Sequence, residues 1–166
     1  MIKTLSISNF AIIDYVEVNF DKGMTTITGE TGTGKSIILG ALSMVLGKRA
    51  DLTVFKNPSK KCIIEAYFDI SKYNLKIIFD QENIDYENET TLRRELIPSG
   101  KSRAFINDCL VNLETLTKIS SNLIDIHNQN EMHTFFNSSF QFKFLDSLSD
   151  SFDDSNTFKV KFLKLK

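Results

Sequence analysis

Hydrophobic and polar residues alternate along two stretches near the start of the chain. Residues 3–8 and 14–20 each place every second side chain on one apolar face, which is the period of a half-buried strand. We therefore predict that they form an antiparallel pair. A turn at residues 21–23 leads into residues 24–28, whose apolar and β-branched side chains predict a short buried strand.

Apolar spacing changes to a helical pattern at residues 36–46, and Gly47 is well placed to cap the C-terminal end of that helix. Asn112 is of the residue type that caps a helix N-terminus, here a helix reaching Ile119. The strands predicted in the second part of the chain are residues 62–70, 91–97, 103–107 and 123–126.

A glycine-rich loop of the form G-x-x-x-x-G-K-S connects the predicted strand at 24–28 to the predicted helix at 36–46. Its residues are Gly29, Glu30, Thr31, Gly32, Thr33, Gly34, Lys35 and Ser36. Backbone N–H groups of such a loop and of the following helix converge on one point that favours an anion. In this motif the lysine reaches the β- and γ-phosphates of a nucleotide and the serine hydroxyl ligates Mg²⁺. The alternative is a plain strand-to-helix turn whose lysine is a solvated surface charge.

The size and charge of the chain limit the other possibilities. Its 166 residues, 42% of them apolar, suffice for one domain or one lobe of a larger one. The formal net charge is −1, so no overall positive field marks a nucleic-acid-binding protein. There is no apolar run of membrane-spanning length and no signal-peptide pattern at the start. We expect a cytoplasmic location and no membrane partner.

Any contact with DNA must therefore come from a local group of cations. The best candidates lie on the strand, turn and strand predicted between residues 91 and 107, and they are Arg93, Arg94, Lys101 and Arg103. The alternative is that these are ordinary solvated charges of a strand pair.

A phosphate-binding loop alone does not separate kinases, GTPases and ATP-driven machines. Two strands are predicted ahead of the loop here, whereas small-molecule kinases usually place it directly after the first strand. Five motifs occur in order: NFAII at 9–13, GETGTGKSII at 29–38, LGKRAD at 46–51, GKSRAFIN at 100–107 and DIHNQ at 125–129. Together they resemble the RecN family, bacterial recombination and repair ATPases of the SMC-like group of ABC proteins.

The resemblance implies an α/β P-loop NTPase fold, the N-terminal lobe of an ABC/SMC-type head, with an antiparallel β subdomain packed beside the P-loop helix. This lobe would cover residues 1–148, and residues 149–166 would form an acidic linker and a truncated tail. The implied cofactors are ATP and Mg²⁺, and the family's Q-loop glutamine, which completes the Mg²⁺ coordination, falls on Gln129. The implied partners are DNA, through the assembled protein, and a C-terminal RecN lobe or a second head.

Complete heads of this class also contain a Walker B strand with an acidic end and a signature segment, and neither occurs in these 166 residues. We therefore expect an ATP-binding lobe of a RecN-like protein in recombinational repair of DNA double-strand breaks, nearly inactive as an ATPase by itself. Two alternatives stay open. One is a degenerate fragment without function, and the other is a small-molecule P-loop kinase.

Overall fold

A computed structural model describes residues 1–30, 34–49 and 54–126, together with the single residues 141 and 145. The elements in chain order are β1 (Ile2–Phe10), β2 (Ile13–Asn19), α1 (Lys35–Val45), β3 (Cys62–Asp69), α2 (Lys76–Gln81), β4 (Glu89–Leu96), β5 (Ser102–Ile106), β6 (Cys109–Val111) and α3 (Leu113–Ser120). The chain divides into two compact units, Met1–Asp125 and Ile126–Lys166, and all of these elements belong to the first. The domain boundary predicted at residue 148 lies outside the described residues and stays a prediction.

The six strands form one antiparallel sheet in the order β2-β1-β3-β4-β5-β6. The antiparallel pair predicted at the start of the chain is therefore confirmed, and β1 also pairs with β3, where Leu5 lies opposite Ala66. β5 and β6 are joined by Asn107 and Asp108, whose φ angles are 48° and 62°. Positive φ at both residues of a two-residue hairpin is the type I′ geometry that matches strand twist.

One face of the sheet carries the hydrophobic core. The buried strand residues on this face include Leu5, Ile7, Ile64, Ala66, Phe68, Leu92 and Ile106. The helices α1 and α3 cover the same face and contribute Ala41, Met44, Val45, Leu116 and Ile119. Because α1 packs directly on β1, β3 and β4, the helix that follows the glycine-rich loop is fixed to the sheet. The predicted architecture, an antiparallel β subdomain beside this helix, is confirmed.

The C-terminal end of α1 confirms Gly47 as a capping residue. Gly47 has a φ of +113°, and its N–H donates to the Met44 carbonyl at 3.1 Å while the Lys48 N–H donates to the Ser43 carbonyl at 3.0 Å. This pair of bonds is a Schellman motif, which requires the left-handed conformation that glycine adopts without strain. Thr117 of α3 packs so closely here that a Cβ on Gly47 would lie 2.2 Å from its Oγ1.

Asn9 ties the end of β1 to the segment that follows α1. It is 6% exposed with a φ of 55°. Its side-chain Nδ2 donates to the carbonyls of Asn57 at 3.0 Å and Lys60 at 2.9 Å, and its Oδ1 accepts from the Asn57 N–H at 2.7 Å. The backbone N–H of Ala11 donates to the Val54 carbonyl at 2.6 Å nearby. One buried amide thus holds a loop more than forty residues away in the chain.

The buried strand predicted at residues 24–28 is wrong. Residues 24–30 form no regular secondary structure, and Met24 is 93% and Ile27 45% exposed. Among the described residues no strand pairs with residues 24–28, so they lack the ladder hydrogen bonds that make a strand. The strand predicted at residues 123–126 is also wrong, because the chain turns there and the N–H of Leu123 donates back to the Ser120 carbonyl at 2.9 Å.

Candidate phosphate-binding site

The glycine-rich loop ends at the N-terminus of α1, as its spacing predicts. Gly34 is the N-cap residue and has a φ of +106°, a backbone conformation for which glycine is the suitable residue. The N–H groups of Ile37 and Ile38 both donate to the Gly34 carbonyl at 3.0 Å, which closes the first turn. Thr31, Gly32 and Thr33, the middle of the loop, lie outside the described residues.

Lys35 is the first residue of α1, and its side chain folds back over the loop. Its Nζ donates to the carbonyls of Gly29 and Glu30, the second at 2.7 Å. Ser36 follows in the same turn, and the first turn of α1 contains no acidic residue. The positive end of the helix dipole is therefore not neutralised by a carboxylate of the helix itself. A cation, a hydroxyl and the first N–H groups of a helix, which have no acceptor within the helix, lie close together, which is the chemistry of a phosphate site.

The four cations considered for DNA contact lie on the predicted hairpin but on different faces of the sheet. Arg93 and Arg94 are consecutive in β4, so their side chains project to opposite sides. Arg94 is 4% exposed on the core face. Arg103 lies beside Glu95 in the β4–β5 register, and both it and Lys101 are exposed. The structure therefore does not bring the four charges to one surface.

The charge of Arg93 is balanced by carboxylates. Its guanidinium lies 3.6 Å from Glu65, 3.7 Å from Glu95 and 3.2 Å from Asp108. It also covers the ring of Phe105, with 4.4 Å between the guanidinium carbon and the ring centroid. These carboxylates neutralise the charge of Arg93, so its attraction for a DNA phosphate is weak. Arg103 and Lys101 are the exposed members of the set.

Comparison with known protein families decides the classification. The family model described as "AAA domain" matches residues 4–166, nearly the whole chain and including the loop and α1. The chain belongs to the AAA domain family.

Relatives of this AAA domain are similar over a limited part of their length. The DNA repair protein RecN of Vibrio cholerae is 36% identical over 154 residues, 92% of this chain and 28% of that protein. RecN of Bacillus subtilis is 38% identical over 133 residues, 79% of this chain and 23% of that protein. The chain thus spans about a quarter of the length of the RecN proteins that it matches.

Solved structures agree with the fold. An Smc head domain with a coiled coil and joint from Pyrococcus yayanosii superposes with a TM-score of 0.65 at 22% identity, covering 99% of this chain and 35% of that one. An Smc head domain from Pyrococcus furiosus gives a TM-score of 0.63 at 23% identity, covering 98% and 48%. These likenesses establish an α/β head-lobe fold of the P-loop type for the AAA domain.

Two parts of the predicted site remain to be placed. Gln129, the predicted second Mg²⁺ ligand, lies outside the described residues, so its role stays a prediction. Among the described ranges there is no group of three or more histidine, cysteine, aspartate or glutamate side chains that could hold a metal ion. The predicted role of Ser36 as a Mg²⁺ ligand also stays a prediction.

Sequence reasoning missed one feature of the AAA domain. Arg49, just beyond α1, and the buried Arg94 line one pocket together, although 45 positions separate them in the chain. The adjacent arginines in β4 gave a usable signal, because the alternation of a strand must send one of the two into the core face.

No helix in the described part of the chain has the length and apolarity needed to cross a membrane.

Proposed function

We propose that this AAA domain binds Mg·ATP and is the ATP-binding lobe of a RecN-like protein that acts in recombinational repair of DNA double-strand breaks. The observation that carries the proposal is the position of Lys35, the first residue of a helix fixed to the sheet, with its ammonium group above the glycine-rich loop. The RecN relatives, which are named as DNA repair proteins, support the biological role.

The residues present fit ATP and Mg²⁺. Lys35 is half-buried and donates only to loop carbonyls in the described part of the chain, so it can exchange these bonds for phosphate oxygens. The Ser36 hydroxyl and the Gln129 amide oxygen would ligate the metal, both as neutral oxygen donors. When bound, Mg²⁺ neutralises phosphate charge and fixes the triphosphate.

DNA contact belongs to the assembled protein in this proposal. Lys101 and Arg103, which are exposed on the β4–β5 hairpin, are its best candidates within this lobe. Arg93 is engaged by carboxylates and Arg94 lies on the core face. The partner would be a C-terminal RecN lobe or a second head. Neither the degenerate fragment nor the small-molecule kinase is favoured by the family match.

Replacing Lys35 with alanine is expected to remove most of the stabilisation by Mg·ATP. A ligand present at about 100 times its dissociation constant stabilises the native state by about 2.7 kcal/mol, which is roughly 5–10 °C in melting temperature for a domain of this size. Thermal unfolding of the wild type and the variant at several ATP concentrations measures the effect. We expect at least a tenfold loss of affinity.

Lys76→Ala is the matched control, since Lys76 is an exposed lysine at the first position of α2. It should keep the full shift with ATP. If Lys35→Ala keeps the same shift as Lys76→Ala at saturating and sub-saturating ATP, Lys35 is not a phosphate ligand.

Replacing Gln129 with alanine is expected to weaken binding of Mg·ATP more than binding of metal-free ATP, because the lost oxygen acts through the metal. Calorimetric titrations of ATP in the presence of Mg²⁺ and in the presence of a chelator give, for each form of ATP, the ratio of the dissociation constants of the variant and the wild type. Gln81→Ala, at an exposed glutamine that ends α2, should change neither. Equal weakening of both forms would make Gln129 a structural loop residue and remove it from the metal site.

A further inference from the structure

A second concave site lies where the β4–β5 hairpin meets the start of α3. The pocket has a volume of about 370 Å³, and its lining includes Arg49, Arg94, Ser102, Asn112 and Leu113. None of the glycine-rich loop residues that the structure describes is part of this lining. Arg49 follows the C-terminal end of α1, whereas the loop forms the N-terminal end of that helix. The pocket is therefore distinct from the proposed ATP site.

Arg94 is a buried charge that has no counter-ion among the described residues. The residue is 4% exposed, and its Nε is buried without a hydrogen bond. Within the described ranges no ion pair includes Arg94, in contrast to Arg93 and its three carboxylates. Burial lowers the pKa of Arg94, but a guanidinium stays protonated near neutral pH. Such a charge is costly unless a counter-ion reaches it.

Other features of the pocket add positive potential. Arg49 is exposed and lines the same cavity, although two guanidinium groups repel each other. Asn112 caps α3 by accepting from the Thr115 N–H at 2.7 Å, while the N–H of Leu113 has no acceptor within the helix and lies at the positive end of its dipole. No carboxylate is among the lining residues in the described part of the chain. These features favour an anion.

We propose that this pocket binds a terminal phosphoryl group, held by Arg94 and Arg49. A phosphodiester carries a sugar on both sides and cannot enter a site whose main cation is 4% exposed. A phosphate monoester presents three oxygens at its end and a charge of about −1.5 to −2 near pH 7, which suits the planar fork of an arginine. The cavity lies in the size range of small-molecule sites, so it accommodates a phosphoryl group with part of what carries it.

The test uses the Lys35→Ala background, so that the proposed ATP site does not contribute. Inorganic phosphate and dimethyl phosphate are titrated at constant ionic strength, and thermal stability or arginine side-chain NMR shifts are recorded. We expect saturable binding of inorganic phosphate and at least tenfold weaker binding of dimethyl phosphate. Arg94→Gln should weaken phosphate binding at least tenfold and Arg49→Gln severalfold. Lys48→Gln, an equal change of charge at the exposed neighbour of Arg49, should leave the affinity within twofold.

The stability of the variants separates binding from folding. Because Arg94 has no counter-ion in the part of the chain that the structure describes, Arg94→Gln should unfold at an equal or higher urea concentration than its parent. Arg49 is exposed, so Arg49→Gln provides the answer if Arg94→Gln does not fold. Unchanged phosphate affinity in the folded variants, or equal binding of dimethyl phosphate, would overturn the proposal.

The carrier of the phosphoryl group is identified with two further probes. Tighter binding of AMP than of phosphate would assign the pocket to free nucleotides. Tighter binding of a 5′-phosphorylated dinucleotide would assign it to strand ends, and equal binding of all three would assign it to the phosphoryl group alone. Because Lys35→Ala disables only the glycine-rich loop, failure here leaves the proposed ATP-binding function untouched.

Discussion

Hydrolysis of ATP by these 166 residues alone is expected to be no faster than by the Lys35→Ala variant, and addition of a C-terminal RecN lobe is expected to raise it by about 100-fold or more. Phosphoryl transfer to water needs a metal, a phosphate clamp and a group that positions the attacking water. In the proposed function, Lys35 and Ser36 would provide the clamp and one metal ligand. The prediction rests on our expectation from the sequence that the acidic Walker B end, which positions the water, is supplied by the C-terminal lobe.

Phosphate release under steady-state conditions measures this effect. The control mixes the same C-terminal lobe with Lys35→Ala, which should stay at the background rate because the clamp is missing. Release well above background by the wild-type chain alone, from a preparation free of contaminating ATPase, would overturn the half-site hypothesis. It would also reopen the small-molecule kinase alternative.

Replacing Gly47 with alanine is expected to lower the free energy of unfolding by about 2–5 kcal/mol. The residue has a φ of +113°, and a left-handed conformation costs other L-residues about 1–2 kcal/mol. The added Cβ would also lie 2.2 Å from Thr117 Oγ1 and 3.3 Å from the Thr117 Cα, and overpacking of this kind costs about 1–3 kcal/mol. Thr117 cannot easily turn away, because its hydroxyl donates to the Leu113 carbonyl at 2.8 Å. Urea unfolding measures the loss.

Gly23→Ala is the matched control, since Gly23 has a φ of +98° but no atom within 4 Å of an added Cβ. Gly23→Ala should lower the free energy of unfolding only by the part that is due to backbone strain. Thr117→Ala combined with Gly47→Ala should be less destabilising than the sum of the two single changes, because the 2.2 Å contact is removed. Equal losses for Gly23→Ala and Gly47→Ala would show that the contact with Thr117 is unimportant.

The sheet was largely predictable because its strands have one covered face. In β3 every second residue is buried, so the alternation in the sequence reports the structure directly, whereas β4 also buries Arg94 and Glu95. The segment at residues 24–28 has a similar composition but no strand beside it among the described residues. A pattern of side chains indicates which face is apolar, but pairing supplies the hydrogen bonds that make a strand.

The two sites differ in how much the sequence can reveal. The glycine-rich loop is a local motif, so its position ahead of α1 follows from eight consecutive residues. The alternation of β4 indicates that one of its two arginines is buried, but the meeting of Arg94 with Arg49 depends on the packing of distant segments. The structural role of Asn9 is not predictable for the same reason. Its partners at Asn57 and Lys60 are backbone carbonyls, and no side chain in the sequence marks them as partners.

The pairing of β1 with β3 has a consequence for the order of folding. The β1–β2 hairpin and the meander from β3 to β6 each connect neighbours along the chain, and the ladder between β1 and β3 joins the two, with Leu5 opposite Ala66. Closing a loop of this length costs more entropy than forming either local unit. The glycine-rich loop and α1 lie inside that loop. This topology therefore favours late formation of the N-terminal end of α1, after β3 has paired with β1.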